Sequence, residues 1–183
     1  MGKQERRKKL VVVGDGACGK TSLLQVFSGK PFDERYIPTV FQNFCSDVEV
    51  DGKKTELTLW DTAGQEEFER LRPLSYDKVN VLLICFSFDN PTSLENIESK
   101  WIPELNQYCA GVPFILVGCK TDLKDDPNIP QKVTSKDAQT VADKIGAKAF
   151  MECSAKSNVG IQEIFKQAVV VCTSDKKSPC VVS

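Results

Sequence analysis

Histidine is absent from the 183 residues. That single absence removes Ser-His and Cys-His nucleophile activation and every His-ligated metal site. No C-x-x-C pair occurs among the eight cysteines (18, 45, 85, 109, 119, 153, 172 and 180), and most of them stand in or beside apolar runs such as "VLLICFSF". The pattern predicts buried thiols in a reducing compartment, not a disulfide framework. No apolar run approaches the ~20 residues that span a bilayer, and the charged start has no signal-peptide core. Gly2 does not open a myristoylation motif, because Arg6 stands where Ser or Thr is required. Charge of one sign is missing too: 24 Lys plus Arg against 25 Asp plus Glu leave no broad basic surface, so no nucleic-acid partner is expected.

What remains is a chain of one-domain size with enough apolar content, 41%, for one sizeable core. A single domain is expected over residues 1–174, opened by a basic, solvated leader (1–7, with "KQERRKK"). The last stretch, 175–183, reads as a flexible polar tail. It ends in Cys180-Val181-Val182-Ser183, a C-a-a-X box in which the terminal Ser favours farnesyl on Cys180.

Along the chain, "KKLVVV" reads as a strand, followed by a glycine turn and a helix over 20–28 with Leu23, Leu24 and Phe27 on one face. "GKPFDERYIPTVFQ" is a long loop, and loops of that length tend to be functional. Two strands flank Asp51-Gly52, a hairpin signal. A short charged helical piece after "DTAGQ" leads to the buried strand "VNVLLICFSF". A helix over "DNPTSLENIESKWIPELNQY" is expected to kink or restart at Pro103. "VPFILVGC" and "AKAFMEC" are further strands, and helices follow at "SKDAQTVADKIG", closed by Gly146, and at 161–172. Strands alternate with helices except at the hairpin. The fold class is therefore α/β, with three layers: a six-stranded, mostly parallel sheet with one antiparallel edge strand, about five helices on its two faces, and ligands at the C-terminal strand ends.

"GDGACGKT", residues 14–21, fits both G-x-G-x-x-G and G-x-x-x-x-G-K-[ST]. The first, a dinucleotide turn, requires an acid about 20 positions on at a strand end. Asp33 and Glu34 match the count but lie in a proline-flanked loop. The second, a phosphate loop, uses the backbone N–H groups of residues 16–21 at a helix N-terminus, a Lys20 charge on β and γ phosphates, and a Thr21 hydroxyl on Mg²⁺. The bland alternative is a tight turn with a solvated lysine. Asp61 at the end of "LTLWD" suits a carboxylate holding the Mg²⁺ shell through water, although a turn cap is its rival in isolation. After it, Gly64 allows a backbone N–H near the γ phosphate, and the Gln65 amide can orient a water. Lys120-x-Asp122 in "CKTD" offers a carboxylate for N1–H and the 2-amino group of guanine, a donor pair that adenine lacks. Ser154-Ala155-Lys156 can close the base pocket through the Ala155 N–H.

These segments together, "GDGACGKT", "YIPTVF", "WDTAGQEEFERLRPLSY", "CKTD" and "ECSAK" with the C-a-a-X ending, closely resemble the Rho family of Ras-like small GTPases, from Leu10 to Ser183. The resemblance implies a P-loop G domain that binds GTP or GDP with Mg²⁺. Its nucleotide-binding set would be Gly14, Asp15, Gly16, Ala17, Cys18, Gly19, Lys20, Thr21, Ser22, Phe32, Tyr36, Pro38, Thr39, Asp61, Gly64, Lys120, Asp122, Ser154, Ala155 and Lys156. Phe32 would lie against the base and Tyr36 over the phosphates. Thr21, Thr39 and, through water, Asp61 would hold the metal. Gln65, Lys20, Thr39 and Gly64 would be the catalytic group, with Gln65 positioning the attacking water.

The resemblance further implies a switch that signals to effectors of the actin cytoskeleton and membranes through residues 36–44 and 66–76. Exchange factors, GTPase-activating proteins and a dissociation inhibitor would be its other partners. A prenylated chain would cycle between cytoplasm and the cytoplasmic face of the plasma membrane, reversibly, since only Lys176 and Lys177 accompany the lipid. Hydrolysis is expected to be slow, because Ile37 occupies the position at which some G proteins carry a cis arginine. An ATPase or kinase is disfavoured by Lys120-x-Asp122 and by the lack of an acceptor domain. A module that does not turn over is disfavoured by Gln65, Gly14 and Gly16. Two departures stand out. Cys119 replaces the family's usual Asn or Thr, and "LKDDPNIPQKVTS" is too short and proline-rich for the family's charged insert helix.

Overall fold

The computed structural model describes residues 7–37, 39 and 41–174; Pro38, the leader before Arg7, the 175–183 tail and its Cys180 lie outside the described residues. Six strands form one sheet in the order β2-β3-β1-β4-β5-β6. They are β1 (Arg7–Gly14), β2 (Phe41–Val50), β3 (Lys53–Thr62), β4 (Val81–Ser87), β5 (Phe114–Cys119) and β6 (Ala149–Glu152). Only the edge pair β2/β3 is antiparallel; β3/β1, β1/β4, β4/β5 and β5/β6 are parallel. The expected three-layer α/β architecture with its antiparallel edge is what the chain adopts.

The burial explains the strand sequences. Leu10 through Val13 on β1 and every residue of β4 are buried, because helices cover both faces of these central strands. In contrast β3 alternates, with Thr55, Leu57 and Leu59 turned inward. The hairpin turn is the predicted Asp51-Gly52, both at positive φ (51° and 73°), which matches the twist of the flanking strands.

The helices are α1 (Lys20–Phe27), α2 (Pro91–Asn96), α3 (Ile102–Tyr108), α4 (Ser135–Ile145) and α5 (Ile161–Ser174). A π turn, Ile97–Trp101, joins α2 to α3 without a break, so the five segments make four helical bodies. Pro103 has no N–H for the carbonyl four residues back, and the wider turn just before it absorbs the mismatch. One core layer packs α1 and α5 on the sheet, with Phe27 stacked on Phe165 at 3.7 Å. The other packs the α2–α3 body and α4 around Trp101, Phe86 and Phe88. α4 starts on the Thr134 hydroxyl, which accepts from the Asp137 N–H, and stops at Gly146 with φ 76°. The charged piece after β3 forms two 3-10 turns, Glu66–Phe68 and Arg72–Ser75, because Pro73 denies a longer ladder. No helix forms between Leu123 and Ser135, as the short proline-containing segment implied. Among the described cysteines Cys45 is exposed and Cys109 half-buried, while Cys18, Cys85, Cys119, Cys153 and Cys172 are buried and all described cysteines are free.

Candidate active site: a phosphate-loop cleft

β1 runs directly into the glycine turn and α1, so the C-terminal end of the central strand aims the turn's backbone at the cleft. The strand order reverses around β1, where ligands of open α/β sheets bind. Gly14 has φ 144°, and a Cβ there would meet the Cys85 carbonyl oxygen at 2.3 Å. Only glycine lets the turn leave the sheet here. Gly64 comes equally close: a Cβ on it would lie 2.4 Å from both the Gly14 carbonyl oxygen and the Gly16 nitrogen.

A cavity of about 380 Å³ lies above this turn. Among the residues expected at the site, Gly16, Ala17, Gly19, Lys20, Thr21, Ser22, Phe32, Tyr36, Thr39, Gly64, Gln65, Lys120, Asp122, Ala155 and Lys156 line it. Gly14, Asp15, Cys18, Asp61 and Ser154 stand behind this lining. The Asp15 carboxylate turns away, accepting from Asn96 Nδ2 at 2.6 Å and Trp101 Nε1 at 2.8 Å. Cys18 faces the core, 2% exposed.

Lys20 is buried, and its ammonium donates to the carbonyls of Gly14 and Asp15, both at 2.7 Å. Next to it three oxygens meet. Thr21 Oγ1 donates to Asp61 Oδ2 at 2.6 Å and lies 2.6 Å from Thr39 Oγ1. Asp61 is fully buried and its other oxygen, Oδ1, has no hydrogen-bond partner among the described residues. Burial pushes its carboxyl up, against the opposing pull of Thr21, Lys20 and Thr39. One buried carboxylate with an unsatisfied oxygen beside two hydroxyls is a hard-oxygen donor set of the kind Mg²⁺ takes, with the remaining ligands from phosphate or water. Among the described residues no cluster of three or more His, Cys, Asp or Glu is arranged to hold a metal ion.

On the far side, Ser154 Oγ donates to Asp122 Oδ1 at 2.6 Å and accepts from the Ser157 N–H, which holds the exposed carboxylate in one orientation. Lys120, at φ 65°, reaches back to the Ala17 carbonyl at 2.9 Å. Lys156 pairs with Glu34 at 3.1 Å across the cleft mouth. Gln65 Nε2 donates to the Tyr36 hydroxyl at 2.8 Å, joining the two loops over Gly16. Arg35 is taken by Asp33 through Nε and Nη2, which holds that carboxyl down at about 2.

The Ras family profile matches residues 9–173. The chain belongs to the Ras family. Within it, this is a Rho family small GTPase: it is 55% identical over 194 residues to GTP-binding protein RHO1 of Candida albicans, covering 99% of this chain and 98% of that protein. RHO1 of Saccharomyces cerevisiae is 59% identical over 170 residues (88% and 81%). GTP-binding protein rho5 of Schizosaccharomyces pombe is 55% identical over 172 (90% and 86%).

Sequence reasoning missed the supports of this small GTPase's cleft. Leu123 and Cys153 line the cavity, and Asn96 and Trp101 anchor the phosphate loop. Arg72 is 1% exposed; its Nε and Nη2 donate to Glu104 at 2.8 and 2.9 Å, and Nη1 to the Ala63 carbonyl at 2.7 Å. Tyr76 donates to the same carboxylate, and the guanidinium lies 4.5 Å from the Trp101 ring centre. This cluster ties the strand end before Gly64 to α3. The one usable sequence signal was Glu104, an acid directly beside the core position Leu105 on α3. Arg72→Ala is expected to strand a buried carboxylate and cost about 3–5 kcal/mol. Thermal unfolding should show it as a lower Tm, and Arg72→Met with Glu104→Leu should recover most of the loss.

Proposed function

We propose that this small GTPase cycles between GTP- and GDP-bound states, with the phosphates on the 14–21 turn and the guanine between Lys120 and Asp122. The convergence of Thr21, Thr39 and Asp61 beside Lys20, in the same cavity as the Ser154-braced Asp122, carries the reading. The N–H groups at the start of α1 and the Lys20 ammonium would take the β and γ phosphates. Thr21 and Thr39, with Asp61 through water, would hold Mg²⁺. A Mg²⁺ ion held there would supply positive charge to neutralise the negative charge developing on the phosphate oxygens.

Gln65 would orient the attacking water, and the Gly64 N–H would meet the γ phosphate. Hydrolysis then proceeds by positioning and electrostatics, slowly on its own. Arg35 is occupied by Asp33, so an activating protein would supply the missing cation, worth about 10³ to 10⁵ in rate. Thr39 and Tyr36 couple residues 36–44 to the γ phosphate, and Gly64 and Gln65 couple 66–76. Loss of the phosphate would relax both, which is how effectors, exchange factors and a dissociation inhibitor would read the state. Exposed Ile37, Leu71 and Leu74 lie on that face. Among the described residues no helix is long and apolar enough to cross a membrane. Attachment would come from prenylated Cys180, with cycling between the cytoplasm and the plasma membrane.

The test is equilibrium binding of GDP, GTP and ATP, followed by single-turnover hydrolysis with and without a Rho-type activating protein. Tight ATP binding, or no GTP binding, would reject the reading. Cys119 adds a sharper expectation. Its thiol is a weaker donor than an amide, so Cys119→Asn should slow GDP release by about 2- to 10-fold, the worth of one neutral hydrogen bond. Release of a fluorescent GDP analogue measures it, and an unchanged rate would count against the assignment.

A further inference from the structure

β5 ends on Cys119, and Cys153 follows directly after the end of β6. Gly118 pairs with Glu152 in parallel register, the Cys153 N–H donates to the Gly118 carbonyl at 2.8 Å, and the Thr121 N–H donates to the Cys153 carbonyl at 3.1 Å. Cys119 and Cys153 are therefore the next cross-strand neighbours, on one face of the sheet, in the same core layer. Neighbouring parallel strands lie about 4.8 Å apart, within the roughly 4.4–6.8 Å Cα span of a disulfide. The Cys119 and Cys153 thiols influence each other electrostatically, and Cys85 in the same core layer acts on Cys119 as well. Both cysteines line the cavity, beside Lys120, Asp122, Leu123 and Ala155, although each is nearly closed to bulk water. Hydrolysis uses neither.

We propose that Cys119 and Cys153 form a peroxide-oxidisable dithiol on the floor of the base pocket, and that closing it to a disulfide releases the guanine nucleotide. It rests on the base lying against Lys120 and Asp122. Cys153 and Cys85, with Lys20 and Lys120 nearby, hold the Cys119 thiol well below its ordinary pKa against the opposing effect of burial, whereas the Cys119 partner and burial push Cys153 up. With Lys120 next to it in the chain and Lys20 nearby, Cys119 takes the role of attacking thiolate and Cys153 that of resolving thiol. The Cys119 thiolate attacks one oxygen of hydrogen peroxide, the O–O bond breaks, and hydroxide leaves. Hydroxide takes the Cys153 proton, and the Cys153 thiolate then displaces hydroxide from the sulfenic acid, which recovers the proton Cys119 gave up. In sum two thiols and one peroxide give one disulfide and two waters. A bond of about 2.05 Å between the sulfurs pulls together the two strand ends that carry Asp122 and Ser154, and their 2.6 Å hydrogen bond loses its alignment. A bound base covers the pair, so oxidation belongs to the nucleotide-free interval of the cycle.

The experiment treats the full chain with hydrogen peroxide in its GDP-loaded form and after nucleotide removal by Mg²⁺ chelation. Peptide mass mapping locates the disulfide, and a fluorescent GDP analogue reports release. The expected result is a Cys119–Cys153 link that forms at least about tenfold faster without nucleotide. In the linked protein release should be at least about tenfold faster, and a dithiol reductant should reverse it. Cys153→Ser, or Cys119→Ser if that variant does not fold, should lose the response to peroxide, and Cys45→Ser should keep it. No such link in the nucleotide-free protein, a link that leaves release unchanged, or a response that survives in Cys153→Ser would overturn the proposal. Failure of the reduced protein to bind guanine nucleotide would overturn the proposed function instead, while mass mapping would still report whether the link forms.

Discussion

Asp122→Asn is expected to lower GDP and GTP affinity by about 10² to 10⁴-fold. The carboxylate would accept two charge-assisted hydrogen bonds, from N1–H and the 2-amino group, each worth about 1.5–3 kcal/mol. An amide at that place accepts only one, and its NH₂ faces the donor of the base's own amino group. Xanthine carries an oxygen where guanine carries that amino group, so the same variant should prefer xanthosine diphosphate. The brace makes the argument specific to this geometry, because Ser154 Oγ holds one carboxylate oxygen at 2.6 Å and so fixes the orientation in which both oxygens can face the base. Competition of GDP, XDP and ADP at equilibrium measures the change. GDP affinity within about threefold of the parent would show that Asp122 does not read the base.

The second large effect concerns the water. Gln65→Leu should leave GTP binding within a few-fold of the parent while lowering single-turnover phosphate release by about 10²-fold, since misplacing the nucleophile by about an ångström costs that much. Stimulation by an activating protein, about 10³ to 10⁵ in an intact site, should be largely lost. Gly16 supplies an independent arm. The atoms nearest to a Cβ there would be Gln65 Cγ at 3.6 Å, Gln65 Cδ at 3.7 Å and the Tyr36 hydroxyl at 3.7 Å, ordinary contacts that cost the fold nothing. The extra methyls of Gly16→Val would instead crowd the Gln65 amide, so hydrolysis should fall with little change in Tm. If Gln65→Leu hydrolyses GTP at the parental rate, the amide has no role in orienting water.

Much of this was legible in the chain because it is local. Asp51-Gly52 made the hairpin, the uninterrupted run of β4 marked a strand buried on both faces, and Thr134 and Gly146 bounded α4. Glycine spacing followed by Lys20-Thr21 marked the turn between β1 and α1 to which the proposed function assigns the phosphates. Lys120, Asp122 and Ser154 were each identified at strand ends. What stayed hidden was contact between residues far apart in sequence. Arg72 looked like one more charge in a short charged helical piece, and nothing near it announces that Glu104, 32 positions away, takes two of its nitrogens. Asp15 looked like a ligand residue, yet Asn96 and Trp101 claim its carboxylate from 81 and 86 positions away. The seven described cysteines are free, as the sequence suggested, but nothing in it said that four of the buried ones gather beneath the turn.

By itself the sequence determined the α/β class, the order of elements, the membership in the Rho family and the residue types available for phosphate, metal and base. Those are properties of spacing along a chain, set by helix and strand periods and by the backbone demands of glycine and proline. The tertiary structure alone decided which atoms meet: the Thr21, Thr39 and Asp61 oxygens, the Ser154 brace on Asp122, and the Cys119–Cys153 pair. Sheet order and parallel register bring these groups together, and both follow from burying two core layers at once, a constraint that no local stretch of sequence expresses.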